Sequence, residues 1–151
     1  MNYVSDRYSS IFPVNSRGIW TEVLKRIEDI TEIRIRVEKP VLIYLNQKEI
    51  SIDEVGKLLY VPGKGKRFSY QEIQQLLDFW CKDSRYAFQN EIKNGFLTIE
   101  GGHRIGICGE VISDNEGRVQ TLKYISSLNI RIAHEKKETA KEIMGYIDSL
   151  N

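Results

Sequence analysis

Two arginines stand in segments where a charged group could do chemistry. Arg104 lies in the run Gly102–Ile107 and Arg131 lies in the alternating run Leu128–Ala133, so each is flanked by apolar residues of a predicted strand. A guanidinium group on a strand presents a planar fork of donors that matches the oxygens of a phosphate or a carboxylate. The two residues therefore indicate either an anion-binding role or a structural ion pair.

Basic residues also gather in two other places. Residues 57–67 contain four basic residues and no acidic one. Arg34 and Arg36 fall on the same side of a predicted strand, where Glu32 and Glu38 balance their charge. Basic clusters attract the phosphates of nucleic acids, but a run of charges is also the ordinary pattern of a solvated face, and we favour that interpretation.

Two glycine patterns bear on nucleotides and nucleic acids. The segment Gly106–Gly109 has the bare GXXG spacing of proteins that clamp four nucleotides. Its centre is apolar and it falls within a strand pattern, where glycines mark bulges or close packing. The segment Gly63–Lys66 lacks both the spacing of a phosphate loop and the Ser or Thr that follows its lysine. Neither pattern predicts a nucleotide site.

The residues that hold metals or act as nucleophiles are few. The two histidines are His103 and His134, and no C-x-x-C pair is present. Beside the turn formers Gly101 and Gly102, His103 either approaches a ligand or bonds to the backbone. Cys81 and Cys108 are far apart in apolar surroundings, which indicates buried, reduced thiols. We expect no metal and no nucleophilic catalysis.

The size and composition are those of one globular domain. The chain has 151 residues, a formal charge of +1 and 41% hydrophobic residues. It contains no run of about 18 apolar residues that could span a bilayer. We expect an irregular arm over residues 1–14 and a single domain over residues 15–151.

Hydrophobic periodicity predicts a mixture of helices and strands. Residues 31–38 alternate with a period of two, as in a strand with one buried face. Ser69 and Glu72 form a capping box that opens a helix, and a shorter helix ends at Asn94. The remaining predicted helices cover about 16–27 and 140–150, and the remaining strands 41–45, 49–52, 96–99, 103–112, 118–122 and 128–133. The predicted fold class is α+β, an antiparallel sheet with helices packed on one side.

Five segments of the chain, in order, resemble the stage III sporulation protein AA family. They are Ile33–Val37, Tyr86–Ile92, Asn94–Ile99, Gly101–Gly106 and Ser126–Glu135. The last two, GGHRIG and SSLNIRIAHE, are long and unusual. The family is similar to the type II and type IV secretion ATPases, in which an N-terminal α+β domain precedes a RecA-like motor domain.

The resemblance implies a place in a larger protein. The parent would bind ATP and magnesium in its motor domain, whereas this chain would hold no cofactor. The implied partners are the motor domain, neighbouring subunits of a hexamer and membrane components of the mother cell–forespore channel. The implied location is the mother-cell cytoplasm, peripheral to the forespore membrane complex. In related ATPases late-strand arginines reach the nucleotide's terminal phosphates; Arg131, and less closely Arg104, match them by position.

These observations lead to one hypothesis and two alternatives. We interpret the chain as a non-catalytic assembly and regulatory domain of a sporulation-channel ATPase, with His103, Arg34 and Arg36 as candidate interface residues. One alternative is an RNA- or single-strand-binding module that uses Lys57–Arg67 and the segment Gly106–Gly109, although the net charge gives no general reason for it. The other is a stand-alone adaptor that binds a protein through an exposed sheet edge or helix face.

Overall fold

The structure, a computed structural model, is built around a single seven-stranded sheet in which all neighbouring strands are antiparallel. It describes residues 6–113, 115–117 and 119–134. The strands are β1 Ile30–Arg36, β2 Leu42–Leu45, β3 Lys48–Ile52, β4 Leu58–Leu59, β5 Phe96–Thr98, β6 Arg104–Ser113 and β7 Val119–Arg131. Their order is β4-β3-β2-β1-β7-β6-β5, so two meanders, β1–β4 and β5–β7, meet at the central β1–β7 pair.

Helices precede the sheet and fill the connection between its two halves. They are α1 Asp6–Ser9, α2 Arg17–Lys25, α3 Tyr70–Trp80 and α4 Gln89–Asn94. Short 3-10 turns cover Val14–Ser16, Ile27–Asp29, Pro62–Lys64 and Arg85–Phe88. The predicted capping box is present, since the Ser69 hydroxyl accepts from the Glu72 N–H and the Glu72 carboxylate accepts from the Ser69 N–H, each at 3.1 Å. Helix α4 ends where Gly95 takes the left-handed conformation at φ 87°.

Alternation along the strands separates a buried face from a polar one. Ile33 and Ile35 of β1 are fully buried, while Glu32, Arg34 and Arg36 point the other way. The buried face packs against helices, because α3 and α4 both contact β7 and the core includes apolar side chains of α2 and α3. The predicted fold class is therefore confirmed: the protein is α+β, an antiparallel sheet with helices on one side.

The polar side of the sheet is called here the open face, because its side chains are exposed or half-buried. Strand register places on it Glu49, Tyr44, Glu32, Arg34, Arg36, Ser127, Asn129, Arg131, Arg104, Gly106, Cys108, Phe96 and Thr98. Cys108 is exposed on this face, so the prediction of a buried thiol at this position is wrong. Ile105 and Ile107 take the core positions of β6, so strand alternation turns Cys108 outward.

Within the predicted arm 1–14, the described residues 6–14 do not form an irregular arm. Asp6–Ser9 form a short helix, and Tyr8, Ile11 and Phe12 have at most 1% of their surface exposed. The Phe12 ring stacks on Trp20 at a centroid distance of 4.1 Å, and the Trp80 indole N–H donates to the Ile11 carbonyl at 2.7 Å. These aromatic contacts place residues 8–12 within the hydrophobic core.

The late strands also differ from prediction. The segments 118–122 and 128–133 were expected as separate strands, but β7 runs unbroken from Val119 to Arg131. Its pairing with β6 changes register between Cys108 and Glu110, where Tyr124 has a φ of 49°. A bulge of this kind lets one strand bend without ending. The predicted helix 140–150 lies outside the described residues.

The described helices do not include one long and apolar enough to cross a membrane.

Candidate functional site

A row of polar side chains crosses six strands of the open face. Cα pairing aligns Glu49, Tyr44, Glu32, Arg131, Arg104 and Thr98 from β3 to β5. Arg104 and Arg131 are direct cross-strand partners, although they are 27 positions apart along the chain. Like charges directly opposite each other destabilise a sheet. An anion bound between the two arginines would therefore relieve this repulsion.

The two arginines line a shallow cleft of about 290 Å³, which we call the arginine cleft. Its other lining residues are Phe96, Gly106 and Asn129. The Arg131 side chain is 73% exposed, and the Arg104 guanidinium lies over the Phe96 ring at 5.6 Å. Gly106 lies between Phe96 and Asn129 across the strands and contributes no side chain to the cleft. The cleft can therefore admit a small oxyanion beside two guanidinium groups.

Among the described residues, Glu32 is the carboxylate that contacts an arginine of the cleft. Glu32 is only 13% exposed, and its Oε1 accepts from the Asn129 amide at 2.7 Å and lies 3.6 Å from Arg131 Nε. Its Oε2 lies 3.2 Å from a terminal nitrogen of Arg34. The sequence pattern predicts that Glu32 balances the charges of Arg34 and Arg36. In the structure Glu32 instead forms ion pairs with Arg34 and Arg131. Strand pairing between β1 and β7 decides this, and no local pattern could reveal it.

The other arginines of β1 differ in their surroundings. The Arg34 guanidinium lies over the Tyr44 ring at 5.2 Å and remains 45% exposed. Arg36 is half-buried, and its Nε finds no hydrogen-bond partner within the described residues. The Arg34 side chain is thus accessible to a partner at the open face. Arg36, which is also a predicted interface residue, is less accessible because it is half-buried.

His103 is buried instead of lying at an interface. Its side chain has 0% exposure, its Nδ1 accepts from the Ala133 N–H at 2.9 Å, and its Nε2 faces the Arg7 carbonyl at 2.6 Å. Since Nδ1 is the acceptor, the ring must carry its proton on Nε2, which donates to Arg7. The imidazole therefore connects α1 to the residues that follow β7 through two hydrogen bonds. Of the two predicted roles of His103, a ligand contact or a bond to the backbone, the structure shows the bond to the backbone.

This arrangement predicts a pH dependence of stability. Burial lowers the pKa of His103, and the charges of Arg7 and His134 lower it further, although the bond to the Arg7 carbonyl opposes them. The unfolded chain therefore takes up a proton at a higher pH, near 6.5, than the folded chain does. Stability should be full above that value and should fall as the pH drops toward the lower folded pKa. Urea unfolding curves from about pH 8 to about pH 5 measure this loss.

The variant His103→Asn provides the control for the pH prediction. Its amide oxygen can still accept from the Ala133 N–H, but the side chain does not titrate. We expect a less stable protein whose stability changes less between neutral and acidic pH. A variant as pH-sensitive as the unmodified chain would show that the dependence arises elsewhere.

Comparison with known proteins decides the family. The family described as "Sporulation stage III, protein AA" matches residues 5–151. The chain belongs to this family. The Stage III sporulation protein AA of Bacillus subtilis (strain 168) is 32% identical over 119 residues, which are 79% of this chain and 34% of that protein. The chain thus spans about a third of the length of the curated relative that it matches.

A solved structure shows a more distant likeness. It is titled "X-ray structure of the Yersinia pseudotuberculosis ATPase DotB", with a TM-score of 0.40 and 15% identity over 87% of this chain and 33% of that one.

Membership in the stage III sporulation protein AA family assigns the chain a role in sporulation. Most of the segments that carry the resemblance gather around the sites described above. Ile33–Val37 covers most of β1, Asn94–Ile99 contains β5, Gly101–Gly106 turns into β6, and Ser126–Glu135 contains the end of β7. Four of the five segments therefore contain residues of the arginine cleft, its neighbour β1 or the His103 bonds, whereas Tyr86–Ile92 lies in a 3-10 turn and α4.

The features that suggested nucleic-acid binding have structural contacts in this family member. Lys66 lies 3.3 Å from Glu54 and 5.1 Å from the Phe68 ring, and Arg67 donates to the Glu38 carbonyl at 2.6 Å. The segment 106–109 lies inside β6. Lys66, which is only 12% exposed, and Arg67 are therefore engaged in contacts within the domain.

Reactive groups are scarce among the described residues. They contain no group of three or more His, Cys, Asp or Glu side chains arranged to hold a metal ion. Burial raises the pKa of the Cys81 thiol to about 11, so that sulfur stays protonated. Cys108 is a free thiol exposed on the open face.

Proposed function

We propose that the chain is the non-catalytic N-terminal assembly and regulatory domain of a secretion-type ATPase that acts during endospore formation. The parent would bind ATP and magnesium in a motor domain beyond this chain and would assemble as a hexamer. It would work in the mother-cell cytoplasm, against membrane components of the channel to the forespore. The similarity of the family to secretion ATPases supports this proposal, as does the match to a third of a longer relative.

The observation that carries the proposal is the Arg104–Arg131 pair. Both guanidinium groups lie on the open face, in one cleft, and the Glu32 carboxylate lies beside that of Arg131. Phosphate oxygens are good partners for such forked donors, and two arginines can share the charge of a terminal phosphate. If the motor domain holds the ATP, arginines of this domain can still stabilise the charge of its terminal phosphate. The domain would then influence ATP hydrolysis without containing a phosphate loop.

This chain would contact the nucleotide, whereas the motor domain of the parent protein would hydrolyse it. The sequence contains no GxxxxGK[ST] motif, which is the loop that cradles the phosphates of ATP in P-loop ATPases. We therefore propose that nucleotide meets this chain only through arginines and binds weakly in the absence of the motor domain. The open face would then contact the motor domain or a neighbouring subunit.

Replacing Arg131 by alanine in the full-length family protein tests the proposal. We expect ATP turnover or ATP affinity to fall by roughly 10-fold or more, since a positioned arginine stabilises the charge on the transferred phosphoryl group. The side chain is largely exposed, so the fold should survive. Steady-state hydrolysis, with circular dichroism to verify folding, measures the effect.

The matched control is Arg26→Ala. Arg26 follows α2 and lies 3.5 Å from Asp29, away from the open face. Its loss should leave turnover unchanged. If the Arg131 variant bound and hydrolysed ATP like the unmodified protein, Arg131 would have no part in the site.

A further inference from the structure

Glu32 has an unusual position for a carboxylate beside an anion site. It is the direct cross-strand partner of Arg131, is largely covered, and contacts three side chains of the open face. Its Oε1 approaches Arg131 at Nε, at 3.6 Å, so the carboxylate lies at the inner edge of the guanidinium. The Arg131 side chain nevertheless remains 73% exposed. Glu32 therefore neutralises part of the charge of Arg131 without covering the end that an anion would meet.

The remaining charges of the open face do not duplicate this role. Arg104 contacts the Phe96 ring and forms no ion pair with any described residue. Glu49 accepts from the Tyr44 hydroxyl at 3.2 Å and lies three strands away from Arg131 in the same row. At about 4.8 Å per strand that separation exceeds the roughly 8–10 Å over which salt screens exposed charges. Glu32 is thus the carboxylate of this row whose charge is felt strongly in the cleft.

We propose that Glu32 sets the anion affinity of the arginine cleft, acting as a built-in counter-ion that an incoming phosphate must overcome. The inference rests on the proposed function and deepens it, because it concerns how firmly the same cleft holds a phosphate. Glu32 is a positioning residue: it acts through Arg131 and Arg34 and need not touch the ligand. A site that must release its nucleotide in every cycle is served by weak anion binding, and Glu32 provides the weakening charge.

The physical basis is Coulombic. A phosphate bound between Arg104 and the terminal nitrogens of Arg131 is attracted by two positive charges. It is repelled by the negative charge of Glu32, which lies on the other side of the Arg131 guanidinium. Removing one unit charge about 6 Å from a polyanion in a water-like dielectric should tighten binding roughly 3- to 10-fold. The effect should shrink as salt is raised, because the cleft is open to solvent.

The test is a titration of the 151-residue chain with tripolyphosphate at low and at moderate salt, followed by calorimetry or by NMR shifts. In Glu32→Gln the Oε1 acceptor for Asn129 is kept and the charge is lost, so we expect the affinity to rise by the stated factor. The matched control is Glu49→Gln, which removes a distant charge of the same face and should leave the affinity unchanged. Adding Arg131→Ala to Glu32→Gln should lower the affinity below that of Glu32→Gln alone, because one of the two guanidinium groups that hold the phosphate is lost.

A second variant keeps the inference testable if the first is poorly folded. Glu32→Asp keeps the charge but draws it back by one methylene, so its affinity should lie between those of the unmodified chain and a neutral variant. Equal affinities of the unmodified chain and a folded Glu32→Gln would overturn the inference, as would an equal gain in Glu49→Gln or no binding by any variant. None of these outcomes bears on ATP turnover in the full-length Arg131→Ala protein, which tests the proposed function separately.

Discussion

Replacing Phe12 by alanine is expected to lower the free energy of unfolding by about 3–5 kcal/mol. Phe12 is fully buried, and its ring stacks on Trp20 with an interplanar angle of 6°. Alanine would leave a cavity where the N-terminal segment meets the core, because Tyr8 and Ile11 are anchored by their own buried contacts. Urea unfolding followed by tryptophan fluorescence measures the loss.

The control for this prediction stands two residues along the chain. Val14 is apolar but 76% exposed, so Val14→Ala should change stability by less than about 0.5 kcal/mol. The irregular arm expected from the sequence would make both substitutions equally harmless. A Phe12 variant as stable as the Val14 variant would contradict the burial of this segment.

Replacing Gly101 by alanine is expected to cost about 3–5 kcal/mol, combining backbone strain with overpacking. Gly101 has a φ of 92°, a conformation that disfavours any side chain. A Cβ there would overlap the Arg7 carbonyl oxygen and lie 2.7 Å from His103 Nε2. The clash falls on backbone and on a buried ring, neither of which can move aside cheaply. Thermal or chemical unfolding gives the magnitude.

Its neighbour supplies the matched comparison. Gly102 has a similar φ of 83°, but a Cβ there would lie 3.9 Å from the nearest atom, the Cβ of Ala133. Gly102→Ala should therefore cost only the strain of the backbone conformation, about 1 kcal/mol. The difference between the unfolding free energies of the two variants therefore measures the cost of the clash with α1 and His103. If both glycines tolerated alanine equally, the close packing of α1 on this turn would be refuted.

Much of the local structure could be predicted because its signals are local. The alternation of Ile33 and Ile35 with charged residues places β1 and its buried face, since a strand has a period of two. The capping box at Ser69 and the glycine after Asn94 mark helix ends through hydrogen bonds made within a few residues. The predicted elements 118–122 and 128–133 were correct as strands but wrongly divided, because a bulge breaks the period without ending the pairing.

The N-terminal segment and the cysteine on β6 show where local signals fail. Tyr8, Ile11 and Phe12 have helical spacing, but they extend over little more than one turn, too few to establish a period. Cys108 sits in apolar sequence and is still exposed, because only the face of the strand, and not its neighbours in the chain, decides burial. His103 was likewise placed beside its turn correctly, yet its partners Arg7 and Ala133 are far away in the sequence.

The sequence by itself determined the α+β class, most element positions, the family, and the two arginines worth testing. The tertiary structure decided that Arg104 and Arg131 stand opposite each other, that Glu32 lies beside one of them, and that His103 is enclosed. The physical reason is that residue type and period specify which side of a strand is buried, whereas strand partner and register follow from the packing of the whole core. Charges become a site only when that packing brings distant strands side by side.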